Sequence, residues 1–429
     1  MNRVSPSCDI FCKIVDNFGD IGVCWRLAKQ LHATHGFSVR LWVDDLAPLR
    51  AMEPQTASLE HQIIDGIDVL HWTKNTTIDA VADLVIEAFA CELPPEYIDA
   101  MARRTEQPVW LNLEYLSAEK WVEETHLLPS PHPHLPLTKY FFFPGFSAQT
   151  GGLLREVDLL ARRARYFDHP DSRLAIFAKH NIQDLRKTVP ARRSDAGSTG
   201  CTTRRCNTAG AVLRKSYIDA RPYSIIVSLF TYENAALDGL LRCWESGPQP
   251  VLCLIPEGRV LQSADHHAGH RLRVGEVWKR GNLVAQVIPF MSPSGYDELL
   301  WACDVNFVRG EDSFVRAQWA AKPFVWHIYP QENHIHQAKL NAFLSRYLAG
   351  APEELTMATR AFWLAWNEEK TQDICIAWSQ FAAVLPQCHK HAEHWLNEQS
   401  HRSLVDEIVL FYRKKAKMQG FFDTQSLLE

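Results

Sequence analysis

Two short loops carry residue types that could do acid–base and anion chemistry. The first, Asp16 to Gly22, reads DNFGDIG and holds two carboxylates, Asp16 and Asp20. Two acids on a glycine-containing loop can face one crevice, where one removes a proton and the other orients an incoming nucleophile. An aspartate before a helix can also serve only as a helix cap, and the loop by itself leaves both interpretations open.

The second loop, Arg309 to Ser313, reads RGEDS and lies between a predicted strand and the N-terminus of a predicted helix. Free backbone N–H groups and the positive end of the helix dipole favour an anion at such a position. Arg309 and Ser313 would add donors for a diphosphate, and Gly310 lets the backbone turn sharply or approach the phosphates. The alternative is that the charged residues of this loop form only a helix cap and its salt bridges.

The first loop is positioned by the opening elements of the chain. Residues 10–15 and 37–43 form apolar runs typical of strands, and residues 23–35 place apolar side chains on one helical face. Gly36 follows that helix in the position where glycine commonly ends one. A strand, a helix and a strand in this order predict a right-handed βαβ unit, the start of a parallel sheet.

The rest of the first half continues this alternation. Strands are predicted at 83–87 and 109–113, and both end in polar residues, where parallel sheets usually bind ligands. Residues 125–154 are rich in proline, aromatic residues and glycine, which indicates a long irregular segment with a function. Residues 183–217 change to Arg, Lys, Ser, Thr and Gly, which indicates a linker or insertion.

The alternation restarts near residue 218, which predicts a second α/β domain. Its predicted strands are 223–230, 250–255, 283–288, 304–308 and 324–327, and its predicted helices are 234–244, 296–303 and 313–321.

The length of the chain also favours two domains, because a single core rarely grows beyond about 250–300 residues and this chain has 429. We predict a first Rossmann-like domain at 1–182, the linker at 183–217, and a second Rossmann-like domain at 218–398. Residues 403–418 carry apolar side chains on one helical face, and such a helix needs a partner surface. We therefore expect residues 399–429 to return to the first domain.

Composition and charge argue against several classes of protein. A formal net charge of −5 argues against a general nucleic-acid binder, which needs a surplus of Lys and Arg on one face. The N-terminus lacks the features of a secretory signal, and no stretch approaches the roughly 20 apolar residues that cross a bilayer. The eleven scattered cysteines indicate reduced thiols in a cytoplasmic protein without a membrane partner.

Motifs for common cofactors are also absent. The first strand is not followed by G-x-G-x-x-G, and no G-x-x-x-x-G-K-[ST] occurs, which argues against an ordinary dehydrogenase and a P-loop enzyme. No zinc site is predicted at Cys201 and Cys206, which lack a second pair nearby. The histidines of 388–394 and the pair His266 and His270 are interpreted as solvated helix-surface residues, so we expect no metal site.

Four longer stretches resemble a known family. They are DNFGDIGVCWRLAKQL, NLEYLSAEKWVEETHLLPSPHP, LTKYFFFPGFSAQTGGLLRE and LWACDVNFVRGEDSFVRAQWAAKPFVWHIYPQ. Together they are similar to the protein-arginine rhamnosyltransferases that modify bacterial elongation factor P. This resemblance implies a GT-B fold, dTDP-β-L-rhamnose as the donor, inverting transfer to an arginine of elongation factor P, and neither a metal nor another cofactor. It also implies that the product acts in relief of ribosome stalling at polyproline.

The resemblance assigns roles to individual residues. Asp16 and Asp20 match the family's loop carboxylates, with Asp20 as the base, and Glu311 matches its third functional acid. Phe290 would stack on thymine, and Arg309 would hold the diphosphate. The residues expected to bind substrates are Asn17, Phe18, Gly19, Phe230, Tyr232, Phe290, Arg309, Gly310, Asp312, Ser313, Tyr329 and Gln331.

The sequence departs from the family pattern in two places. The segment near 190–216 is longer and more basic than expected, and Pro293 and Gly295 replace more polar residues after Phe290. Two alternatives to the implied function remain open. One is a two-domain transferase that uses another nucleotide sugar on a small molecule, and the other is a non-catalytic regulatory protein of the same shape.

Overall fold

The computed structural model describes residues 5–418 with the exception of residues 17, 74–75, 77, 79, 181, 183–224 and 332–334. The predicted linker at 183–217 therefore lies outside the described residues, as do Asn17, Cys201 and Cys206.

The first α/β unit is built on an eight-stranded sheet with the strand order β3-β4-β2-β1-β5-β6-β8-β7. Its strands are β1 Ser7–Cys12, β2 Ser38–Val43, β3 His61–Ile64, β4 Ile67–His71, β5 Leu84–Ala88, β6 Val109–Leu113, β7 Pro129–Pro131 and β8 Thr138–Phe142. Among these described strands, the edge strands β3 and β7 pair antiparallel and the others pair parallel. Strand order reverses between β1 and β5, so ligands are expected beside the carboxyl end of β1.

The helices of this part are α1 Phe18–His35, α2 Leu46–Met52, α3 Pro95–Arg103, α4 Trp121–Thr125, α5 Leu159–Asp168 and α6 Ser172–Lys179. Helix α1 begins five residues before the predicted start at 23, so Asp20 lies in its first turn. The predicted end of the helix is confirmed, because α1 ends at His35 and Gly36 follows it with φ of 70°. The Gly36 N–H donates to the His32 carbonyl. The segment 125–154 is not wholly irregular, because it contains β7 and β8.

The second α/β unit is built on a six-stranded sheet with the order β11-β12-β10-β9-β13-β14. Its strands are β9 Ile225–Leu229, β10 Val251–Pro256, β11 Val277–Arg280, β12 Leu283–Ile288, β13 Val305–Arg309 and β14 Phe324–His327. Strand β11 pairs antiparallel and the others pair parallel. The order reverses between β9 and β13, so this sheet also has a ligand position at a central carboxyl end.

Nine described helices follow in this part of the chain. They are α7 Leu237–Ser246, α8 Leu261–Ala268, α9 Pro293–Ala302, α10 Asp312–Ala320, α11 Ile335–Tyr347, α12 Glu353–Asn367, α13 Ile374–Ala383, α14 Leu385–Gln399 and α15 Leu404–Met418. None of the described helices is long and apolar enough to cross a membrane.

The C-terminal helix α15 packs on the first unit, as the sequence predicts. Leu404, Ile408 and Tyr412 are buried in the same apolar cluster as the strands of the first sheet. The Lys415 Nζ donates to the Tyr140 Oη at 2.9 Å. The apolar face of α15 thus completes the core of the domain that begins the chain.

Helices α5 and α6 precede the predicted linker, yet α6 packs against the second sheet. Ile176 and Phe177 share an apolar cluster with Ile226 and Leu252. A boundary at residue 182 would assign this helix to the first domain, whereas its packing associates it with the second. The boundaries at 182, 217 and 398 stay predictions.

One cysteine pair differs from the expectation of reduced thiols. Cys243 and Cys375 form a disulfide between α7 and α13, with Cα atoms 5.5 Å apart. The prediction fails there because the two cysteines are 132 residues apart, and only folding brings the helices together. The other described cysteines are free and buried: Cys8, Cys12, Cys24, Cys91, Cys253, Cys303 and Cys388.

Candidate active site

The two loops singled out in the sequence meet across the cleft between the two units. The Arg309 Nη1 donates to Asp16 Oδ1 at 3.2 Å, and the Tyr232 Oη donates to Asp16 Oδ2 at 2.7 Å. A Cβ atom at Gly310, where φ is 61°, would collide with Asp16 Oδ2 of the facing loop, and a Cβ atom at Gly19 would lie 2.8 Å from the same oxygen within its own loop. Glycine is therefore required at Gly310 for the two loops to approach this closely, and at Gly19 for Asp16 to keep this position.

A cavity lies between the two loops. Its walls come from both units, so neither unit alone would form it. The lining residues are Asp16, Phe18, Gly19, Arg26, Met52, Phe230, Pro256, Phe290, Met291, Pro293, Tyr296, Arg309, Asp312 and Ser313.

Arg309 is a buried cation of this cavity, with 3% of the residue exposed. Its guanidinium lies 4.9 Å from the ring centre of Phe230 and 4.8 Å from that of Tyr232. The Nε and Nη2 atoms are buried and have no hydrogen-bond partner among the described residues. Buried donors normally have acceptors, so this side chain is suited to bind an anion that enters the cavity.

Ser313 and Asp312 already have protein partners. The Ser313 hydroxyl donates to the carbonyl of Arg309 and accepts from its N–H at 3.0 Å. Asp312 Oδ1 accepts from the Arg26 Nε at 2.9 Å. Both side chains line the cavity, but these contacts fix the shape of the loop rather than leaving free donors.

Asp20 is buried, and its two oxygens have different surroundings. Oδ2 accepts from the backbone N–H groups of Val15 and Asp16, each at 2.8 Å. Oδ1 accepts from the Tyr115 Oη, at 3.2 Å. The carboxylate thus reaches back from the first turn of α1 to hold the loop with one oxygen, and its other oxygen keeps capacity for a further donor.

Burial raises the pKa of both loop acids. For Asp16, desolvation is the main cause, opposed by the charge of Arg309 and the hydrogen bond from Tyr232. For Asp20, desolvation is again the main cause, opposed by the backbone hydrogen bonds and by Tyr115. A carboxylate with a raised pKa is a better proton acceptor than an ordinary one.

Glu311 supplies a third acid from the second unit. Its Oε2 accepts from the Leu116 N–H at 2.9 Å, which again joins the two units. Burial raises the pKa of Glu311 to about 7, against the opposing charge of Lys339. Asp20 also raises this pKa, so the acids act electrostatically on one another across the cleft.

Of the aromatic residues predicted to bind substrate, Phe18, Phe230 and Phe290 line the cavity, whereas Tyr232 and Tyr329 do not. The Phe290 and Phe18 ring centres are 4.4 Å apart, and Phe230 and Phe290 are 6.4 Å apart. Tyr329 lies edge-on to Tyr232, at 5.4 Å. Gln331 is exposed and does not line the cavity, and its N–H donates to the His336 Nδ1.

Several site residues were missed from the sequence. Tyr115 contacts Asp20 and stacks on Phe89 with ring centres 4.3 Å apart. Arg26 lines the cavity from α1. An arginine among the apolar residues of α1 was an available signal, whereas nothing in the sequence marks Tyr115, whose contact with Asp20 spans 95 residues.

Among the described residues, no group of three or more His, Cys, Asp or Glu side chains is arranged to hold a metal ion. In the 388–394 segment, the side chains have separate partners. The His391 Nε2 lies 2.6 Å from the Tyr347 carbonyl, and the His394 Nε2 lies 3.2 Å from Glu398.

Two Rossmann-like units that face each other across a cleft, with a helix returning to the first, define the GT-B architecture of glycosyltransferases. A buried arginine on the second unit opposite carboxylates on the first fits that class. The family model "Elongation-Factor P (EF-P) rhamnosyltransferase EarP" matches residues 8–193 and 198–413. The chain belongs to this family.

Individual relatives agree with this assignment. A protein-arginine rhamnosyltransferase of Pseudomonas aeruginosa is 46% identical over 95% of this chain and 98% of its own length. Its counterpart in Pseudomonas putida is 44% identical, and the match covers 94% of this chain and 98% of that protein. One solved structure is described as the structural basis for EarP-mediated arginine glycosylation of translation elongation factor EF-P. It is 32% identical in sequence, the match covers 96% of this chain and 99% of that chain, and the TM-score is 0.63.

Proposed function

We propose that this protein transfers rhamnose from dTDP-β-L-rhamnose to an arginine side chain of EF-P, with inversion at the sugar carbon. The observation that carries the proposal is the buried Arg309, which lines the cavity together with Asp16 of the other unit and whose Nε and Nη2 have no partner among the described residues. The names of the relatives support the sugar and the acceptor. The nucleotide and the stereochemistry rest on the family resemblance.

The donor would bind mainly to the second unit. The diphosphate accepts hydrogen bonds from Arg309, and the aromatic wall of Phe290 and Phe230 takes the thymine by stacking, which contributes about 1–3 kcal/mol per base. The paired rings of Phe18 and Phe290 show that this wall is formed by both units. Base binding there would therefore favour a closed cleft.

The acceptor arginine would enter from the side of the acids. A guanidinium keeps its proton up to a pKa above about 12 and is a poor nucleophile, so carboxylates must orient it and remove a proton. Asp16 and Glu311 hold the cation, and Asp20 Oδ1 is the position of the base. Tyr115 orients that oxygen.

The reaction then consists of one displacement. A guanidinium nitrogen forms a bond to the anomeric carbon, the bond from that carbon to the diphosphate oxygen breaks, and the nitrogen's proton passes to Asp20. Attack from the face opposite the leaving group inverts the configuration. Arg309 stabilises the charge that develops on the departing dTDP, a role filled by metal ions in other enzymes, so we propose that neither a metal nor another cofactor is used.

We also propose a setting for the reaction. Acting in the cytoplasm, the enzyme would modify EF-P and so activate it for relief of ribosome stalling at polyproline. The acids of the cleft suit a cationic side chain and not nucleic acid, so EF-P itself is the expected macromolecular partner.

The direct test is intact-mass measurement of EF-P after incubation with enzyme and dTDP-β-L-rhamnose. We expect a gain of one deoxyhexose, lost when the acceptor arginine is replaced by lysine and retained in the presence of a chelator. UDP-glucose in place of the donor tests for another nucleotide sugar. No gain with dTDP-rhamnose would contradict the proposal, and loss of activity in chelator restored by magnesium would contradict the metal-free mechanism.

A further inference from the structure

A buried ionic cluster joins the two units directly behind the cavity. Arg26, on α1 of the first unit, donates through Nε to Asp312 Oδ1 at 2.9 Å, through Nη1 to Glu156 Oε1 at 2.7 Å, and through Nη2 to the Pro293 carbonyl at 3.2 Å. Its side chain is 3% exposed. One guanidinium thus contacts the start of α10, the start of α9 and the segment that precedes α5.

The second unit continues the cluster from the other side. The Arg316 Nε and Nη2 donate to the two oxygens of Asp297, each at 2.7 Å. The Arg316 Nη1 donates to Glu156 Oε2 at 2.7 Å. Glu156 therefore bridges the two arginines with one oxygen each, so a displacement of Arg26 would leave buried charges without partners.

A glycine on α1 allows this contact. A Cβ atom at Gly22 would lie 3.1 Å from both the Cβ and the Cγ of Asp312, and 3.3 Å from its Oδ2. Gly22 is one helical turn before Arg26, so both residues lie on the face of α1 that packs on α10. A side chain at position 22 would push the two helices apart.

The same helix carries Asp20 in its first turn. Arg26 and Gly22 therefore connect the acid on α1 to Asp312 and Pro293, which line the cavity. We propose that Arg26 and Gly22 are positioning residues, which hold α1 against the donor-binding loop and so set the distance between Asp20 and the bound sugar. This role rests on the proposed function, because it presupposes that the donor binds beside Arg309.

The role predicts a specific kinetic effect. Because dTDP would bind mainly to the second unit, a looser contact between α1 and α10 should slow transfer while leaving dTDP affinity close to the wild-type value. A misplacement of about 1 Å at a reacting centre can cost about 100-fold. We therefore expect a loss of roughly ten- to hundred-fold in single-turnover transfer at saturating donor.

Arg26→Lys and Gly22→Ala test the role in different ways. Lysine keeps the charge but cannot make the three contacts of the arginine fork, and alanine changes no charge. The control is Arg40→Lys, since Arg40 donates to both oxygens of the buried Asp9 within the first unit. We expect Arg40→Lys to lower the melting temperature and to leave transfer unchanged.

Single-turnover transfer to EF-P and calorimetry with dTDP, both well below the melting temperature, decide the outcome. Slower transfer with retained dTDP affinity in both variants supports the role. Wild-type transfer in the folded variants overturns it, and so does an equal loss of dTDP affinity and rate, which would make Arg26 a donor ligand. If Arg26→Lys does not fold, Gly22→Ala alone decides. Absence of transfer by the wild-type enzyme would refute the proposed function instead.

Discussion

The β1–α1 loop and the β13–α10 loop occupy equivalent places in the two sheets, but their charged side chains are satisfied in opposite ways. Each loop follows a central parallel strand and contains a glycine at the point of closest approach. In the first loop, Asp16 and Asp20 accept hydrogen bonds from protein donors. In the second, two buried N–H donors of Arg309 have no acceptor among the described residues.

The difference shows what each loop is prepared to bind. A buried cation with unused donors favours an anion, whereas buried carboxylates with raised pKa values favour a cation or a proton. Under the proposed function, the loop that contains Arg309 would depend on the diphosphate to complete its hydrogen bonding. The loop that contains Asp16 and Asp20 is already held in place by the protein, and Asp20 Oδ1 keeps acceptor capacity for a substrate.

The largest effect is expected from Asp20→Asn, which tests whether the first loop does more than hold itself together. Asparagine can still accept the N–H groups of Val15 and Asp16 through its amide oxygen, but it cannot take a proton. We expect a loss of about 10²–10⁴-fold in single-turnover transfer to EF-P with dTDP affinity nearly unchanged. Transfer near the wild-type rate would reduce Asp20 to a structural residue, and lost dTDP binding would indicate misfolding or a donor role.

A smaller effect is expected from Arg309→Lys, which tests the unused donors of the second loop. Lysine keeps the charge but loses the planar fork. Hydrogen bonds to charged groups contribute about 1.5–3 kcal/mol, which corresponds to roughly ten- to hundred-fold in affinity. Calorimetry with dTDP measures this loss. Arg242→Lys on the exposed face of α7 is the control, and equal affinity of all three proteins would refute the anion site at Arg309.

Phe290→Ala should weaken dTDP binding less than Arg309→Lys does. Stacking is worth about 1–3 kcal/mol per base, but Phe18 and Phe230 both contact Phe290 and would remain to pack on thymine. We therefore expect the lower end of that range, roughly five-fold in the dissociation constant. Phe167→Ala, in a ring that does not line the cavity, is the matched control. An unchanged constant for Phe290→Ala would remove the stacking assignment.

The smallest effect is expected in the pH dependence of stability, through Glu311 on the second loop. Burial raises the pKa of Glu311 from 4.5 to about 7, so the folded state favours its protonated form. That contribution to stability is complete below the unfolded pKa and is lost as the pH rises through the folded value. In Glu311→Gln the side chain stays neutral at every pH, and its amide oxygen can still accept the Leu116 N–H.

Thermal unfolding of wild type and Glu311→Gln at about pH 5 and about pH 8 measures this difference. We expect the variant to gain in melting temperature relative to wild type as the pH rises, while transfer is impaired at both values. A difference that does not change with pH would mean that Glu311 titrates as an exposed acid.

Much of the fold could be predicted because each element carries its own pattern. The strands 109–113, 283–288 and 324–327 match β6, β12 and β14 at both ends, since buried parallel strands are short apolar runs between polar turns. The start of α1 was missed because its first turn, FGDIG, contains two glycines and reads as a loop. The strands β7 and β8 were missed because proline and glycine around them dominate the local signal.

About half of the residues predicted for the site line the cavity. Eight of the predicted site residues line the cavity: Asp16, Phe18, Gly19, Phe230, Phe290, Arg309, Asp312 and Ser313. The six on the two loops were found because both loops follow strands and carry unusual charges, whereas Phe230 and Phe290 were named only by the family resemblance. Tyr115, Arg26 and Glu156 were not found, because their partners lie far away in the sequence.

By itself, the sequence determined the two α/β units, the position of the two loops at the ends of strands, and the family. These depend on local patterns of apolar residues, glycine and charge among residues that are close together in the sequence. Only the tertiary structure decided that Tyr115 lies against Asp20, that Arg309 has donors unused by the described residues, and that Arg26 joins α1 to the start of α10. The first and third depend on contacts between residues more than 90 positions apart, and the second on burial that leaves two N–H groups without an acceptor, so no local pattern specifies them.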